Sequence, residues 1–178
     1  IESSERVSNE AGTWKMPLPN GRVREIVDEH AKPGMLNLAE AIEVSSNVVM
    51  AKFSERLSPV EQYQQLRDFG FGSPTGVELP SESRGVVHRP ERWQPALSRV
   101  SVAMGYYFEV TALQLAAAYA AIANDGVLLT PTLIREVRSP DGTVLYRHQP
   151  EPVRRAVSPE VAAQLREFLR GASGIGGT

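Results

Sequence analysis

The sequence predicts a helix-rich α+β fold with two small β-hairpins. Capped helical segments are spread along most of the chain, and two pairs of short β-type segments each flank a turn-forming sequence. The composition of the 178 residues, 42% apolar and 22% charged, is that of an ordinary globular protein and excludes a disordered chain or a coiled-coil rod. The length suits one ordinary domain.

The helices are predicted from their caps and their apolar spacing. Asn37 with Glu40 has the spacing of a capping box, Thr111 with Gln114 repeats it, and proline follows serine at two further helix starts. The predicted helices cover residues 38–44, 48–57, 59–69, 112–124 and a last segment from 159 onward. Their apolar faces are expected to contain Val49, Phe53, Leu57, Val161, Leu165, Phe168 and Leu169.

The remaining segments lead to four expectations. Residues 13–18 and 23–27 form a hairpin around Asn20-Gly21, and residues 133–137 and 143–146 form a second one around 139–142. Residues 1–12 are polar and are expected to be loose, and residues 70–100, rich in glycine and proline, are expected to be irregular.

The helix over 112–124 contains seven alanines, so its neighbours can approach closely and it is expected to be central.

Composition excludes several classes of function. The net charge is −2, from 19 basic and 21 acidic residues with mixed signs, so no nucleic-acid partner is expected. Without cysteine there is no disulfide, thiolate nucleophile or cysteine zinc site. His30, His88 and His148 are interpreted as surface residues, and the glycine-rich stretches do not fit a phosphate loop. We therefore expect neither a metal nor a cofactor.

The triplet Ser45-Ser46-Asn47 lies between two predicted helices. Taken alone, serine and asparagine at such a boundary are ordinary helix caps. The segments around the triplet favour a second interpretation, because several further motifs follow it in a fixed order. These are Phe69-Gly70-Phe71-Gly72, residues 75–85 (TGVELPSESRG), Trp93, residues 110–116 (VTALQLA), Tyr119-Ala120 and residues 123–126 (ANDG).

Together these motifs resemble the penicillin-binding protein transpeptidases, and the triplet is similar to their S-x-N motif. The residues 82–85 (ESRG) and the Gly-Tyr stretch at 105–106 are more similar to class B enzymes of the cell-division type than to the elongation type. The resemblance implies the α+β fold shared with serine β-lactamases, and acyl transfer by a serine nucleophile with a lysine nearby. It further implies that Ser45 is a proton-relay hydroxyl and that Asn47 binds and orients the substrate amide, with no role for Ser46.

The other two family motifs, S-x-x-K and K-T-G, are missing. The chain has three lysines, Lys15, Lys32 and Lys52, and none fits either motif. In the family these motifs stand before and after S-x-N, so we expect residues 1–178 to be the central part of a transpeptidase domain. Such a fragment is expected to be inactive by itself.

One position departs from the family pattern. The family commonly has Gly-x-Gly before V-T, and this chain has Gly105-Tyr106-Tyr107. Glycine often serves a positive φ, so Tyr107 places the usual backbone conformation of this loop in question. The tyrosine either narrows the groove or turns outward.

The resemblance also implies partners and a location. The expected substrate is the peptidoglycan stem peptide, and the parent protein is expected to bind β-lactams and to work with a membrane glycosyltransferase and division proteins. The expected location is extracytoplasmic, with the parent anchored by an N-terminal transmembrane helix that this chain lacks. Two alternatives stay open, which are a non-catalytic binding, sensor or scaffold module of the same fold and a serine β-lactamase relative.

Overall fold

The computed structural model describes residues 2–30 and 33–174, and it confirms the α+β fold class. Six α-helices are assigned in these ranges, namely α1 (Leu38–Glu43), α2 (Asn47–Ser54), α3 (Pro59–Asp68), α4 (Pro95–Ala103), α5 (Ala112–Ala123) and α6 (Pro159–Ala172). Short 3₁₀ turns cover Glu10–Gly12 and Pro90–Arg92. The glycine-rich end of the chain falls largely on residues 175–178, outside the described ranges.

The strands of the described part are short. They are β1 (Val7–Ser8), β2 (Thr13–Pro17), β3 (Val23–Val27), β4 (Met35–Leu36), β5 (Val86–Val87), β6 (Phe108–Glu109), β7 (Val127–Leu129), β8 (Glu136–Arg138), β9 (Val144–Arg147) and β10 (Pro152–Arg155). Both predicted hairpins are confirmed, as β2–β3 with Thr13 opposite Val27 and as β8–β9 with Glu136 opposite Arg147. Two antiparallel pairs that the sequence did not predict, β1–β4 and β7–β10, join strands far apart in the chain.

The chain divides into two compact units. Unit 1 contains residues 1–64, 88–108 and 164–178, and unit 2 contains residues 65–87 and 109–163. In the described part, no helix is both long and apolar enough to cross a lipid bilayer.

The core of unit 1 surrounds α2. One side of this helix packs with the β2–β3 hairpin and α4 through Met16, Ile26, Val48, Ala51 and Val100. The other side packs with α1 in a second cluster formed by Ala41, Val49 and Phe53. Because α2 has apolar residues on both sides, its N-terminus is held in a fixed position between the hairpin and α1.

Unit 2 is built on α5, whose N-terminus carries the predicted capping box. Thr111 Oγ1 accepts from the Gln114 N–H at 3.1 Å, and Gln114 Oε1 accepts from the Thr111 N–H at 3.0 Å. The antiparallel pair β7–β10 packs beside this helix. Gly126 connects α5 to β7 at φ +81°, and a Cβ atom there would lie 2.2 Å from the Val157 carbonyl oxygen. Only glycine allows this close approach.

Several local expectations are wrong. Residues 7–12 are not loose, since they form β1 and a 3₁₀ turn, and the region 70–100 contains α4 from Pro95 onward. Proline is accepted at the first turn of a helix, so Pro95 begins a helix here. The apolar residues Leu97, Val100 and Met104 follow it at helical spacing and belong to the unit 1 core.

Three helix faces also differ from expectation. Helix α2 ends at Ser54, so Leu57 lies beyond it and is partly exposed. In α6 the buried position is Ala162, whereas Val161 is exposed. The helix α5 is not buried on all sides: Ala118 and Ala121 are buried, but Leu115 and Tyr119 face outward. Small side chains permit close approach and do not by themselves require it.

Candidate active site

The triplet Ser45-Ser46-Asn47 forms the junction between α1 and α2. Helix α1 ends in a Schellman motif, in which the Ser45 N–H donates to the Ile42 carbonyl at 3.2 Å and the Ser46 N–H donates to the Ala41 carbonyl at 2.8 Å. Ser46 is at the same time the N-cap of α2. Only Val44, Ser45 and Ser46 thus separate the two helices.

Ser45 occupies the position where this motif usually has glycine. Its φ is +53°, in the left-handed region that non-glycine residues rarely adopt. Its side chain is exposed, and within the described part of the chain no group accepts or donates a hydrogen bond at its hydroxyl. The motif therefore presents a serine hydroxyl to the outside at the cost of local backbone strain.

Ser46 is fully buried and is a helix cap, as serine at such a boundary predicts; its bond to Asp28 is the part that the sequence did not reveal. Its Oγ accepts from the Val49 N–H at 3.2 Å, which caps α2, and its hydroxyl donates to Asp28 Oδ2 at 2.8 Å. The middle residue of the triplet thus joins the helix to the residue that follows β3.

Asp28 completes this arrangement from the end of β3. Its side chain is 6% exposed, and its Oδ1 accepts from the Val48 N–H at 2.9 Å. A carboxylate at a helix N-terminus is favoured by the helix dipole and by the unpaired N–H groups of the first turn. Its own backbone N–H donates to the Gly12 carbonyl at 2.9 Å, which fixes Asp28 against the start of β2.

Asn47 is half-buried at the first position of α2. Its Nδ2 donates to the Val27 carbonyl at 3.0 Å, so the last residue of β3 orients the side-chain amide. Within the described residues, Oδ1 of this amide receives no hydrogen bond and stays able to accept one from a bound group. The structure thus places both predicted site residues at one junction, with an exposed hydroxyl and an oriented amide.

Sequence reasoning missed Asp28. The signal was weak, since a lone aspartate directly after a hairpin strand is ordinary in a turn. Its partners Ser46 and Val48 are some twenty positions further on, and only the packing of β3 on α2 brings them together.

Tyr107 has the backbone conformation that glycine usually gives this loop, although a tyrosine at this position had placed that conformation in question. Gly105 has φ +83° and Tyr107 has φ +73°, so the tyrosine adopts the left-handed conformation usually given to glycine. Its phenol donates to the Arg92 carbonyl at 3.1 Å, and its ring lies 5.7 Å from that of His88. The side chain is therefore fixed against residues 88–92.

The V-T-x-L-Q-L-A segment has a structural explanation in unit 2. Gln114 is 1% exposed, and its Nε2 donates to the carbonyls of Ser73 at 2.7 Å and Arg84 at 2.9 Å. Gly85 lies beside it at φ +62°, where a Cβ atom would be 2.3 Å from the Glu109 carbonyl oxygen. The glutamine and the glycine together fix the irregular segment 70–87 against the start of α5.

Among residues 2–30 and 33–174, no cluster of three or more histidine, aspartate or glutamate side chains could hold a metal ion. The groups at the junction are a hydroxyl, an amide and a buried carboxylate, which suit hydrogen bonding and proton transfer. These features, with the order of the motifs around them, resemble the S-x-N region of the penicillin-binding class of proteins.

Comparison with known proteins gives the particular family. Residues 1–177 match the family model of the penicillin binding protein transpeptidase domain, and the chain belongs to this family. The penicillin-binding protein PbpB of Mycolicibacterium smegmatis is 40% identical over 126 residues, which cover 71% of this chain and 19% of that protein. The probable peptidoglycan D,D-transpeptidase PbpC of Pseudomonas aeruginosa is 28% identical over 144 residues, covering 81% of this chain and 23% of that protein.

A solved structure supports the same assignment. Penicillin-binding protein 3 of Mycobacterium tuberculosis, complexed with aztreonam, has a TM-score of 0.74 and 32% identity over 93% of this chain and 35% of that one. The predicted resemblance to a class B penicillin-binding transpeptidase is confirmed. The chain spans about a fifth of the length of the curated relatives it matches.

Proposed function

We propose that this chain is the central part of a peptidoglycan D,D-transpeptidase, which cross-links stem peptides by serine acyl transfer and is acylated by β-lactams. The observation that carries the proposal is the α1–α2 junction, where Ser45 and Asn47 stand at the positions of the S-x-N motif. Membership in the transpeptidase family supports the same reaction.

The geometry supports the roles that the family resemblance implies for the two residues. In acyl transfer the amine that leaves the substrate must gain a proton, and the exposed hydroxyl of Ser45 is suited to pass one on. Asn47 is held through Nδ2 by the Val27 carbonyl, so its Oδ1 has a fixed direction for accepting an N–H of the substrate. We assign proton relay to Ser45 and substrate orientation to Asn47.

The nucleophile is proposed to lie elsewhere in the protein. No lysine of this chain belongs to S-x-x-K or K-T-G, so acylation requires segments that precede and follow S-x-N. We propose that residues 1–178 are one part of the transpeptidase domain and that they are not acylated when isolated.

The biological setting is proposed from the family. Peptidoglycan lies outside the cytoplasmic membrane, so the protein that contains this chain works there, anchored by a membrane helix outside these residues. A role in division, beside a membrane glycosyltransferase and division proteins, is favoured by the residues 82–85, which resemble the cell-division type of the family.

The proposal is tested on the longer protein that contains this chain. Its coding sequence is expected to have S-x-x-K before Ile1 and K-T-G after Thr178, and a fluorescent penicillin should label that protein and not the 178-residue chain. Asn47→Ala should slow acylation about tenfold to a hundredfold, because a misplaced substrate loses much of the benefit of orientation.

Four results would contradict it. A coding sequence without either motif favours the non-catalytic module, and labelling of the isolated chain overturns the account of the nucleophile. An Asn47→Ala variant that acylates at the normal rate removes the role of that residue. Rapid hydrolysis of the acylated enzyme would instead support a serine β-lactamase.

A further inference from the structure

We infer that Asp28 is a positioning residue for the S-x-N motif, acting through Ser46 and the first turn of α2. The inference rests on the proposed function, since it concerns how Ser45 and Asn47 are held for that reaction. It adds a residue that lies outside the motif and that touches neither the substrate nor the reacting atoms.

The first step is that the Asp28 carboxylate binds the junction at two points. Oδ2 accepts from the Ser46 hydroxyl at 2.8 Å, and Oδ1 accepts from the Val48 N–H at 2.9 Å. These two donors lie on either side of Asn47 in the chain. A rotation or shift of Asn47 relative to β3 therefore requires that at least one of these hydrogen bonds breaks.

The second step is that the contacts are buried. Ser46 is fully buried and Asp28 is 6% exposed, so water cannot readily replace a lost partner. Within the described part of the chain no lysine, arginine or histidine forms an ion pair with Asp28, and its charge is met by the two hydrogen bonds and by the N-terminus of α2. Charge-assisted hydrogen bonds of this kind are shorter and stronger than neutral ones.

The third step is that the same strand end holds Asn47 directly. Val27, the last residue of β3, accepts from Asn47 Nδ2 at 3.0 Å, and the backbone N–H of Asp28 is bound to the Gly12 carbonyl. The β2–β3 hairpin therefore sets both the position of the α2 backbone and the direction of the Asn47 amide. Asp28 sets the position of the α2 backbone through its carboxylate, and its neighbour Val27 sets the direction of the amide.

The backbone conformation of Ser45 also depends on these contacts, because Ser45 directly precedes Ser46. It lies between the Schellman end of α1 and Ser46, whose Oγ caps α2. The left-handed φ of +53° at Ser45 persists because its neighbours fix it. When Asp28 no longer holds Ser46, Ser45 can relax toward a common backbone conformation and its hydroxyl moves.

The experiment measures acylation of the longer protein by a fluorescent penicillin, with thermal unfolding recorded for each variant. Asp28→Ala removes both acceptors and should lower the second-order acylation constant about tenfold to a hundredfold. Asp28→Asn keeps the shape of the side chain but only one of its two acceptor oxygens. Its acylation constant should lie between those of Asp28→Ala and the unmodified protein. Ser46→Ala removes the hydroxyl and leaves Asp28, and its acylation constant should be similar to that of Asp28→Asn.

The matched control is Thr111→Ala. It removes a hydroxyl helix cap, as Ser46→Ala does, but from α5 in unit 2, so it lowers stability while the S-x-N junction is untouched. We expect its acylation constant to stay within about twofold of normal. In an Asn47→Ala background, Asp28→Ala should slow acylation less than it does in the unmodified protein, because part of its effect acts through Asn47.

Each outcome separates the two proposals. Normal acylation by folded Asp28→Ala, equal slowing by Thr111→Ala, or effects of Asp28 and Asn47 that multiply in full would overturn the positioning role and leave the proposed function intact. If the unmodified protein is not labelled, both proposals are wrong. If Asp28→Ala does not fold, Asp28→Asn and Ser46→Ala decide the matter by the same criteria.

Discussion

Ser45 combines an exposed hydroxyl with a backbone conformation that suits glycine better. For an L-residue other than glycine, the left-handed region costs about 1–2 kcal/mol. The Schellman end of α1 imposes this conformation, because the N–H groups of Ser45 and Ser46 must both reach back to α1 carbonyls. The strain is thus explained if the hydroxyl is needed at this position.

Replacement of Ser45 by glycine should separate stability from activity. Ser45→Gly removes the strain and should raise the free energy of unfolding by about 0.5–1 kcal/mol, which raises Tm by a few degrees. It should also slow acylation, because the hydroxyl is lost. Ser45→Ala is the control, since it removes the hydroxyl and keeps the Cβ atom, and its Tm should stay close to normal. A Ser45→Gly variant with lower Tm or with normal acylation would contradict this view.

Ser45 and Asn47 could be identified from sequence because their motif is local and is followed by others in order. Ser46 and Asp28 could not, since their hydrogen bond joins residues 18 positions apart and depends on how β3 packs on α2. Tyr107 lies between these cases. The sequence shows that Tyr107 departs from the family pattern. Only the structure shows that its phenol donates to the Arg92 carbonyl and that the φ of Tyr107 is positive.

Among the elements, α5 shows best what local patterns do and do not predict. Its capping box, its start at Ala112 and its end near Asn124 follow from nearest neighbours in sequence, and all three are confirmed. Its environment depends on the rest of the fold, so the expectation of a central helix failed at Leu115 and Tyr119. Helix α4 was not predicted because its local signal is ambiguous. A proline such as the one at its start occurs in loops as well as at helix N-termini.

Gln114 has more influence on unit 2 than a capping residue alone. Gln114→Leu would leave the Ser73 and Arg84 carbonyls and the Thr111 N–H without their side-chain partner, at about 1–3 kcal/mol for each group that stays buried. We expect the free energy of unfolding to fall by at least about 3 kcal/mol in denaturant titration. Thr111→Ala, which loses only the cap, should cost about 1 kcal/mol. Equal losses in the two variants would contradict the role assigned to the glutamine.

At the scale of the whole molecule, carboxylates whose pKa is lowered by the fold make stability depend on pH, and Glu78 and Glu82 are two of those in unit 2. The pKa of Glu78 lies below its ordinary value of 4.5, because the Thr132 hydroxyl and the Leu133 N–H donate to its carboxylate. Burial raises the pKa of Glu82, but the N–H groups of Thr75 and Gly76 lower it further than burial raises it. Both groups are thus held ionised by the folded state.

The direction of the pH effect follows from these shifts. A carboxylate with a depressed folded pKa adds stability that is fully present above the unfolded value near 4.5 and is lost as the pH falls through the folded value. We expect Tm to be nearly constant above about pH 6 and to fall below about pH 4.5. Glu78→Gln should lower Tm at pH 7 and reduce this acid dependence, whereas Glu91→Gln, which removes one exposed charge elsewhere, should not. A Tm independent of pH below 4.5 would contradict the prediction.

The division into two units has a consequence for folding kinetics. Unit 1 takes its chain from three separate stretches, and its core packs Val100 of α4 against Met16 and Ile26 of the first hairpin. These contacts have a large sequence separation, and the intervening chain includes the first stretch of unit 2. High contact order slows folding, because a long loop must close before the contacts stabilise it. On the ribosome, the first hairpin and α2 therefore lack part of their apolar core until α4 has emerged.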